Sequence, residues 1–352
     1  MIKESIRKLA EPQNLDYDEM VQCMHEIMQG NANDASIAAF LLALKMKGET
    51  VDELKAMLDV MDEFAIKIKP SVKGRLIDTC GTGGDKIKTF NISTAAGFVA
   101  GAAGANIAKH GNRSVSGPCG SADVLEYFGY DLNTEPSKVK ECIEALGIGF
   151  MFAPKFHPAM KNVASARKEL GVRTAFNILG PLSNPAGVDA QVVGVYDLSL
   201  IDKIAQLLKS AGRKEAMVFH ARDGLDELSN TCINHIAWLR DGSINKFDLN
   251  PRSLKICVAE PADLSITNKD ESAMQMFKVL NGGADEKKLD IVLLNAAAAL
   301  IVGNKADSFA DAIELARKVI ESGNAYKKFR ALIERCGNAS QLEGLEKKWQ
   351  NS

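Results

Sequence analysis

LIDTCGTGGDKIKTFNISTAAGFVAGAAGANIAKHGNRSVSGPCGS, residues 76–121, is the stretch from which the rest of the chain can be read. Leu76 and Ile77 end a buried strand. Gly81, Gly83 and Gly84 then punctuate a loop, GTGGD, whose backbone amides lie open to a ligand. Asn91-Ile92-Ser93-Thr94 opens an Ala/Gly-rich helix, with Ser93 or Thr94 expected as its N-cap. A helix start behind a glycine loop offers free N–H donors and a partial positive charge, which suits phosphate. The run closes on Lys109-His110-Gly111-Asn112-Arg113, where two cations flank a glycine. Two anion cradles thus lie roughly two dozen residues apart, about one strand–helix–strand unit. The G-x-x-x-x-G-K-[ST] and G-x-G-x-x-G spacings are both absent, so this is neither a P-loop nor a dinucleotide fingerprint.

Outward from this stretch, the chain alternates strand and helix. Strands are expected at 106–108, 148–152, 191–196 and 215–219, with helices at 122–128, 138–146 and 200–211. Ser121 and Ser137 are the expected caps of the first two helices. Residues 233–240 and 244–249 form a hairpin across Asp241-Gly242-Ser243. The C-terminal third returns to helices at 273–280, 289–302 and 309–322. Residues 1–65 carry only helical patterns. Asp16 with Glu19 and Thr50 with Glu53 have capping-box spacing, and Asp34 is expected to cap a helix ending before Gly48. That helix is apolar on more than one face, as in a subunit interface. The alternation implies an α/β chain with a largely parallel sheet covered by helices, preceded by a small helical domain. Ligands should bind at the carboxyl ends of the strands.

At 352 residues, 46% hydrophobic and 25% charged, the chain is long enough for two domains. A net charge of −2 gives no electrostatic reason for a nucleic-acid or membrane partner. Seven scattered cysteines without a C-x-x-C pair point to reduced thiols and a cytoplasmic setting. The first residues lack the apolar core of a signal peptide. No run approaches a membrane span.

GTGGD, NIST, KHGNR and GSADVLE, in this order, resemble the anthranilate phosphoribosyltransferase family. The likeness continues in HPAMKNVASARKELGVRTAFNILGPLSNPA (157–186), GLDELS (224–229) and LLNAAAAL (293–300), and so covers nearly the whole chain. It implies a transferase of tryptophan biosynthesis with a nucleoside phosphorylase-like fold. A helical domain, residues 1–66, would be joined in space by about 157–186, and an α/β donor domain would comprise 70–156 and 187–352. The active site would lie in the cleft between them. The phosphoribosyl group of phosphoribosyl pyrophosphate would pass to the amine of anthranilate. The implied donor site comprises Gly81, Gly84, Asp85, Thr89, Asn91, Ile92, Ser93, Thr94 and Lys109, then His110, Gly111, Asn112, Arg113, Ser114, Val115, Ser116, Gly117 and Ser121. Gly81, Asn112 and Arg167 are the implied anthranilate contacts, and His110 and His157 line the same region. No acid–base residue is expected, because an aromatic amine is already unprotonated at neutral pH.

Asp226 and Glu227 follow a strand at the ligand edge of the sheet. Two bare carboxylates beside a polyanionic donor would repel it, and a bridging magnesium ion reverses that sign. Ser93, Asp226 and Glu227 are therefore the expected metal ligands. A homodimer through the N-terminal helices is also expected. Two departures from the family pattern, Pro118-Cys119 and residues 230–234, bear on how the donor loops close. Alternative readings are a pyrimidine nucleoside phosphorylase and a non-catalytic phosphoribosyl-binding paralogue. KHGNR, the Arg167 segment and the acidic pair separate the chain from the first. The joint presence of Asp85, Asn91, Lys109 and Glu227 weighs against the second.

Overall fold

A computed structural model describes residues 1–84, 87–114 and 117–350. The chain opens with four helices: α1 (Ile2–Ala10), α2 (Tyr17–Met28), α3 (Asp34–Lys47) and α4 (Val51–Glu63). Capping boxes start α2 at Asp16 and α4 at Thr50, as their spacing predicts. The cap of α3 is Asn33, one residue before the expected Asp34. Then follow β1 (Leu76–Gly81), α5 (Ile92–Ala102), β2 (Asn106–Gly111), α6 (Ser121–Tyr127), α7 (Pro136–Leu146) and β3 (Ile148–Phe152). The helices α8 (Ala153–Phe156), α9 (Lys161–Leu170) and α10 (Ala175–Leu182) interrupt the alternation. It resumes with β4 (Ala190–Gly194), α11 (Leu200–Ser210), β5 (Glu215–Ala221), β6 (Asn234–Arg240) and β7 (Ser243–Leu249). Helices α12 (Pro261–Leu264), α13 (Lys269–Leu280), α14 (Glu286–Val302), α15 (Phe309–Glu321), α16 (Asn324–Cys336) and α17 (Ala339–Gln350) close the chain.

The strands form one sheet in the order β3-β2-β1-β4-β5-β6-β7. The first five are parallel, and β6 and β7 continue the sheet antiparallel. Alternate residues serve opposite faces, as a pleated strand requires. Val192, Met217 and Phe219 pack with α5 and α14, while Val193, Ala216 and Val218 pack with α4, α10 and α11. Helix α14 supplies an unbroken buried run from Ile291 to Val302, because it lies between the sheet-facing α5 and the outer α15. Helices α9 and α10 leave the sheet and contribute Val163, Ala166, Phe176 and Leu179 to the cluster of the N-terminal helices.

Three further expected caps differ. Helix α5 begins after Asn91, α6 after Gly120 and α7 after Glu135. In α6 the capping role passes to Asp123, whose carboxylate accepts the Gly120 N–H at 2.9 Å. In α7, Pro136 takes the first turn, where its missing N–H costs nothing.

Candidate active site

The site forms at the carboxyl edge where the chain order reverses, between β1 and β4. The glycine loop leaves β1 there. Thr82 N–H donates to Gly194 O at 3.0 Å, and the Thr82 hydroxyl accepts from Tyr196 N–H at 3.1 Å, so the loop is fastened to the end of β4. Gly83 and Gly84 have φ of 69° and 82°, a region that side chains rarely adopt. Gly81 and Gly194 are needed for a different reason. A Cβ on either would fall within the van der Waals envelope of Asp226. Asp85 lies outside the described residues.

Lys109 reaches this edge from β2. It is buried, and its Nζ donates to Thr79 O at 2.6 Å and to Ser93 Oγ at 3.4 Å. Burial lowers its pKa, and Asp78 beside it opposes that shift. Asp78 is buried in β1, where it accepts from Asn184 Nδ2 at 2.7 Å and from His110 N–H at 3.2 Å. Burial pushes its pKa up to about 6. Asn91, just ahead of α5, does not cap the helix. Its amide donates to Cys119 O at 3.2 Å and accepts from Ser272 Oγ at 2.7 Å, which ties both anion loops to α13. Ile92 is core. The Thr94 hydroxyl is buried and has no hydrogen-bond partner among the described residues. Thr89 pairs with Ser265 as an isolated bridge.

The second loop, after β2, is organised around Asp123. This carboxylate accepts the Ser114 N–H at 2.9 Å, and Arg113 binds it at 2.9 Å and Glu126 at 2.7 Å. The charge of Arg113 is thus directed onto α6, away from the glycine loop. Asn112 O accepts from Ala122 N–H and Ser121 Oγ, and Gly117 N–H donates to Ser114 Oγ at 2.7 Å. Gly111 must stay small, because a Cβ there would press into Phe150 and Ser121. Val115 and Ser116 lie outside the described residues.

The acidic pair arrives on the loop between β5 and β6. Asp226 Oδ2 accepts the Gly83 N–H at 2.6 Å, and Glu227 Oε1 accepts the Ser93 N–H at 3.1 Å. Burial raises the pKa of Asp226, with the Gly83 amide opposing. Residues that composition gave no reason to single out hold this loop in place. Asn295 of α14 accepts the Leu228 N–H at 2.9 Å and donates to its carbonyl at 2.8 Å. Asp223 accepts from Ser229 Oγ at 2.7 Å and from Leu225 N–H at 3.1 Å. The only trace of Asn295 in the sequence is one amide within the otherwise apolar LLNAAAAL.

Arg167 of α9 is half-buried and lies 5.5 Å over the Phe176 ring, and partial burial lowers its pKa. No carboxylate pairs with it among the described residues. Arg173, which sequence reasoning passed over, contacts the glycine loop directly: Nη2 donates to Gly84 O at 2.6 Å. His110 and His157 sit with ring centroids 5.0 Å apart. His157 Nε2 meets Ser183 O at 2.9 Å. His110 Nε2 is buried without a partner among the described residues, and its pKa is held down to about 3, first by burial and then by His157. A neutral imidazole there can accept a hydrogen bond but carries no charge. The structure therefore gathers Gly81, Gly83, Ser93, Lys109, Asp226 and Glu227 at one point. It sets Arg113 apart from them. No cluster of three His, Cys, Asp or Glu side chains suited to a metal occurs among the described residues. A cation here would depend on the acidic pair, a hydroxyl and oxygens brought by the substrate.

The family model described as glycosyl transferase family, a/b domain, matches residues 73–326, and that of its helical bundle domain matches residues 3–65. An anthranilate phosphoribosyltransferase of Nitrosopumilus maritimus is 47% identical over 345 residues, covering 98% of this chain and 99% of that protein. The crystal structure of the anthranilate phosphoribosyltransferase of Thermus thermophilus superposes with a TM-score of 0.89 at 37% identity, over 94% of this chain and 99% of that one. The enzyme of Saccharomyces cerevisiae, solved in complex with PRPP and Mg, shares the fold with a TM-score of 0.85 at 24% identity, over 95% of this chain and 97% of that one.

Proposed function

The chain belongs to the anthranilate phosphoribosyltransferases of the glycosyl transferase family, and we infer that it moves the phosphoribosyl group of 5-phosphoribosyl 1-pyrophosphate onto the amine of anthranilate, in tryptophan biosynthesis. One convergence supports this reading: glycine-loop amides, the start of α5 and the Lys109 ammonium meet two carboxylates at the β1–β4 switch point. In the reaction the bond from ribose C1 to the pyrophosphate oxygen breaks and a bond from C1 to the amine nitrogen forms. Charge builds on the leaving pyrophosphate, so catalysis is positioning and charge stabilisation. We assign the Gly81–Gly84 loop, Asn91, Ser93, Thr94 and Lys109 to the donor. The Thr94 hydroxyl, buried without a partner among the described residues, supports this, since such a buried group usually has one.

Ser93, Asp226 and Glu227 would hold magnesium. The donor set fits that ion, because magnesium takes few protein carboxylates and completes its shell with water and substrate oxygens. When bound it supplies positive charge against the pyrophosphate. Arg167, a half-buried cation without a carboxylate partner among the described residues, is assigned to the anthranilate carboxylate, and Asn112 and the Gly81 backbone to the same acceptor. The division into a helical domain of 1–66 plus about 157–186 and an α/β domain of the remainder agrees with the packing of α9 and α10 on the N-terminal helices. The protein works as a homodimer in the cytoplasm. Ala35, Ala39, Leu42 and Met46 make an exposed stripe along α3 at helical spacing, which supports the pairing. No helix among the described residues is long and apolar enough to cross a membrane. With purified protein, magnesium, phosphoribosyl pyrophosphate and anthranilate, the fluorescence of anthranilate should decay. A flat trace with folded protein would refute the assignment.

A further inference from the structure

Two amides of the phosphate cradle are already taken by the chain's own carboxylates. Gly83 N–H belongs to the glycine loop and donates to Asp226 Oδ2. Ser93 N–H lies in the first turn of α5, where no intrahelical carbonyl can reach it, and it donates to Glu227 Oε1. Glu227 also lies within Coulombic reach of Lys109, the cation buried at the same point. The positive features of the cradle are thus neutralised from within. This is a built arrangement rather than a chance fold of a surface loop. Gly81 and Gly194 make room for Asp226, and Asn295 clamps the next residue but one through both its N–H and its C=O.

We propose that Asp226 and Glu227 make this cradle selective for metal-complexed polyphosphate: they occupy the Gly83 and Ser93 amides against bare anions and yield them only to an anion that brings a divalent cation. The proposal rests on the donor site described under the proposed function. Inorganic phosphate or metal-free pyrophosphate must displace two carboxylates and then lie beside their charges, which is repulsive at this range. A magnesium complex takes the amides and offers the displaced carboxylates a cation in the same event. The pair that recruits the donor therefore also rejects the free phosphate that a phosphorylase would use.

The test is calorimetric titration of the full-length protein with inorganic pyrophosphate, in chelator and again in excess magnesium, for wild type, Glu227→Gln and Asp226→Asn. Wild type should bind at least about tenfold more tightly with magnesium than without. Each variant should gain about tenfold in metal-free affinity while losing affinity in magnesium, an inversion that a merely unfolded or loosened site cannot produce. Glu227→Gln retains the oxygen that accepts the Ser93 N–H, and it keeps the test open if the buried Asp226→Asn fails to fold. If wild type binds magnesium pyrophosphate but neither variant gains metal-free binding, the proposal is overturned and the donor site stands. If wild type binds pyrophosphate in neither condition, the donor site itself is refuted, and the proposal with it.

Discussion

Arg173 lies over the ring of Tyr196, its guanidinium carbon 3.8 Å from the ring centroid, while its Nη2 donates to the Gly84 carbonyl at 2.6 Å. One side chain from the α9–α10 segment thereby joins the loop after β1 to the loop after β4. A cation stacked on an aromatic ring contributes about 0.5–2 kcal/mol, and a hydrogen bond from a charged donor about 1.5–3 kcal/mol. Arg173→Ala should raise the donor KM by roughly tenfold or more and leave the anthranilate KM nearly unchanged. Arg173→Lys should recover little, because it loses the planar stacking. Steady-state kinetics with each substrate varied in turn checks both.

Arg167→Ala should show the opposite split. Its half-buried guanidinium lies over Phe176 with no carboxylate partner among the described residues, an arrangement that an anionic acceptor would complete. Loss of one charge-assisted contact removes about 1.5–3 kcal/mol of acceptor binding. The anthranilate KM should rise with little change for the donor. An equal rise in both would make Arg167 a residue of the fold or of the donor site.

Gly81→Ala should cripple turnover. The added methyl would collide with the Asp226 carboxylate, so either the glycine loop or the acidic loop must move. Overpacking of this kind costs about 1–3 kcal/mol in stability. The thermal midpoint should therefore drop modestly while kcat falls far more. Gly187→Ala makes a control, because nothing lies near its Cβ and its φ of 61° confines the effect to local strain.

Acid should destabilise the fold through the histidine pair. The folded-state pKa of His110, about 3, lies below the ordinary 6.5, so the unfolded chain takes up a proton that the folded one refuses. That contribution is present above pH 6.5 and is lost as pH falls from 6.5 toward 3. Burial lowers His157 in the same direction. Asp78 opposes them. Its pKa is raised from 3.8 to about 6, so its contribution is full below 3.8 and lost as pH rises through 6. Asp226, whose pKa burial also raises, acts in the same sense as Asp78, so the histidine part is read against a variant: His110 should lower stability between about pH 6.5 and pH 5, by at most about 1.4 kcal/mol per pH unit. His110→Gln should flatten this dependence in urea unfolding at pH 7 and pH 5. An unchanged slope would show that His110 is protonated in the fold.

Legibility followed the range of the interactions. The parallel strands and their helices could be read because alternation and capping are local. Strand β1 was cut short at Ile77, since Asp78 and Thr79 break the apolar run, yet it continues to Gly81 because Asn184, over a hundred residues away, satisfies Asp78. Helices α16 and α17 went unread, as their apolar stripes are diluted by charged residues on the outer face. The acidic pair could be named but not placed. Nothing local shows that Asp226 and Glu227 would sit on Gly83 and Ser93. Arg173 was hidden for the same reason: its partners, Gly84 and Tyr196, are distant in sequence and meet only at the switch point. The ion partners of Arg113 were equally hidden, since Asp123 and Glu126 lie on the following helix.

The most direct measurement of the central claim is stoichiometric. Purified protein is supplied with magnesium, phosphoribosyl pyrophosphate and anthranilate, and pyrophosphate release is followed alongside anthranilate loss. A parallel reaction offers inorganic phosphate and a pyrimidine nucleoside. One pyrophosphate should appear for each anthranilate consumed, with no base released from the nucleoside. Phosphorolysis of the nucleoside without transfer to anthranilate would contradict the account.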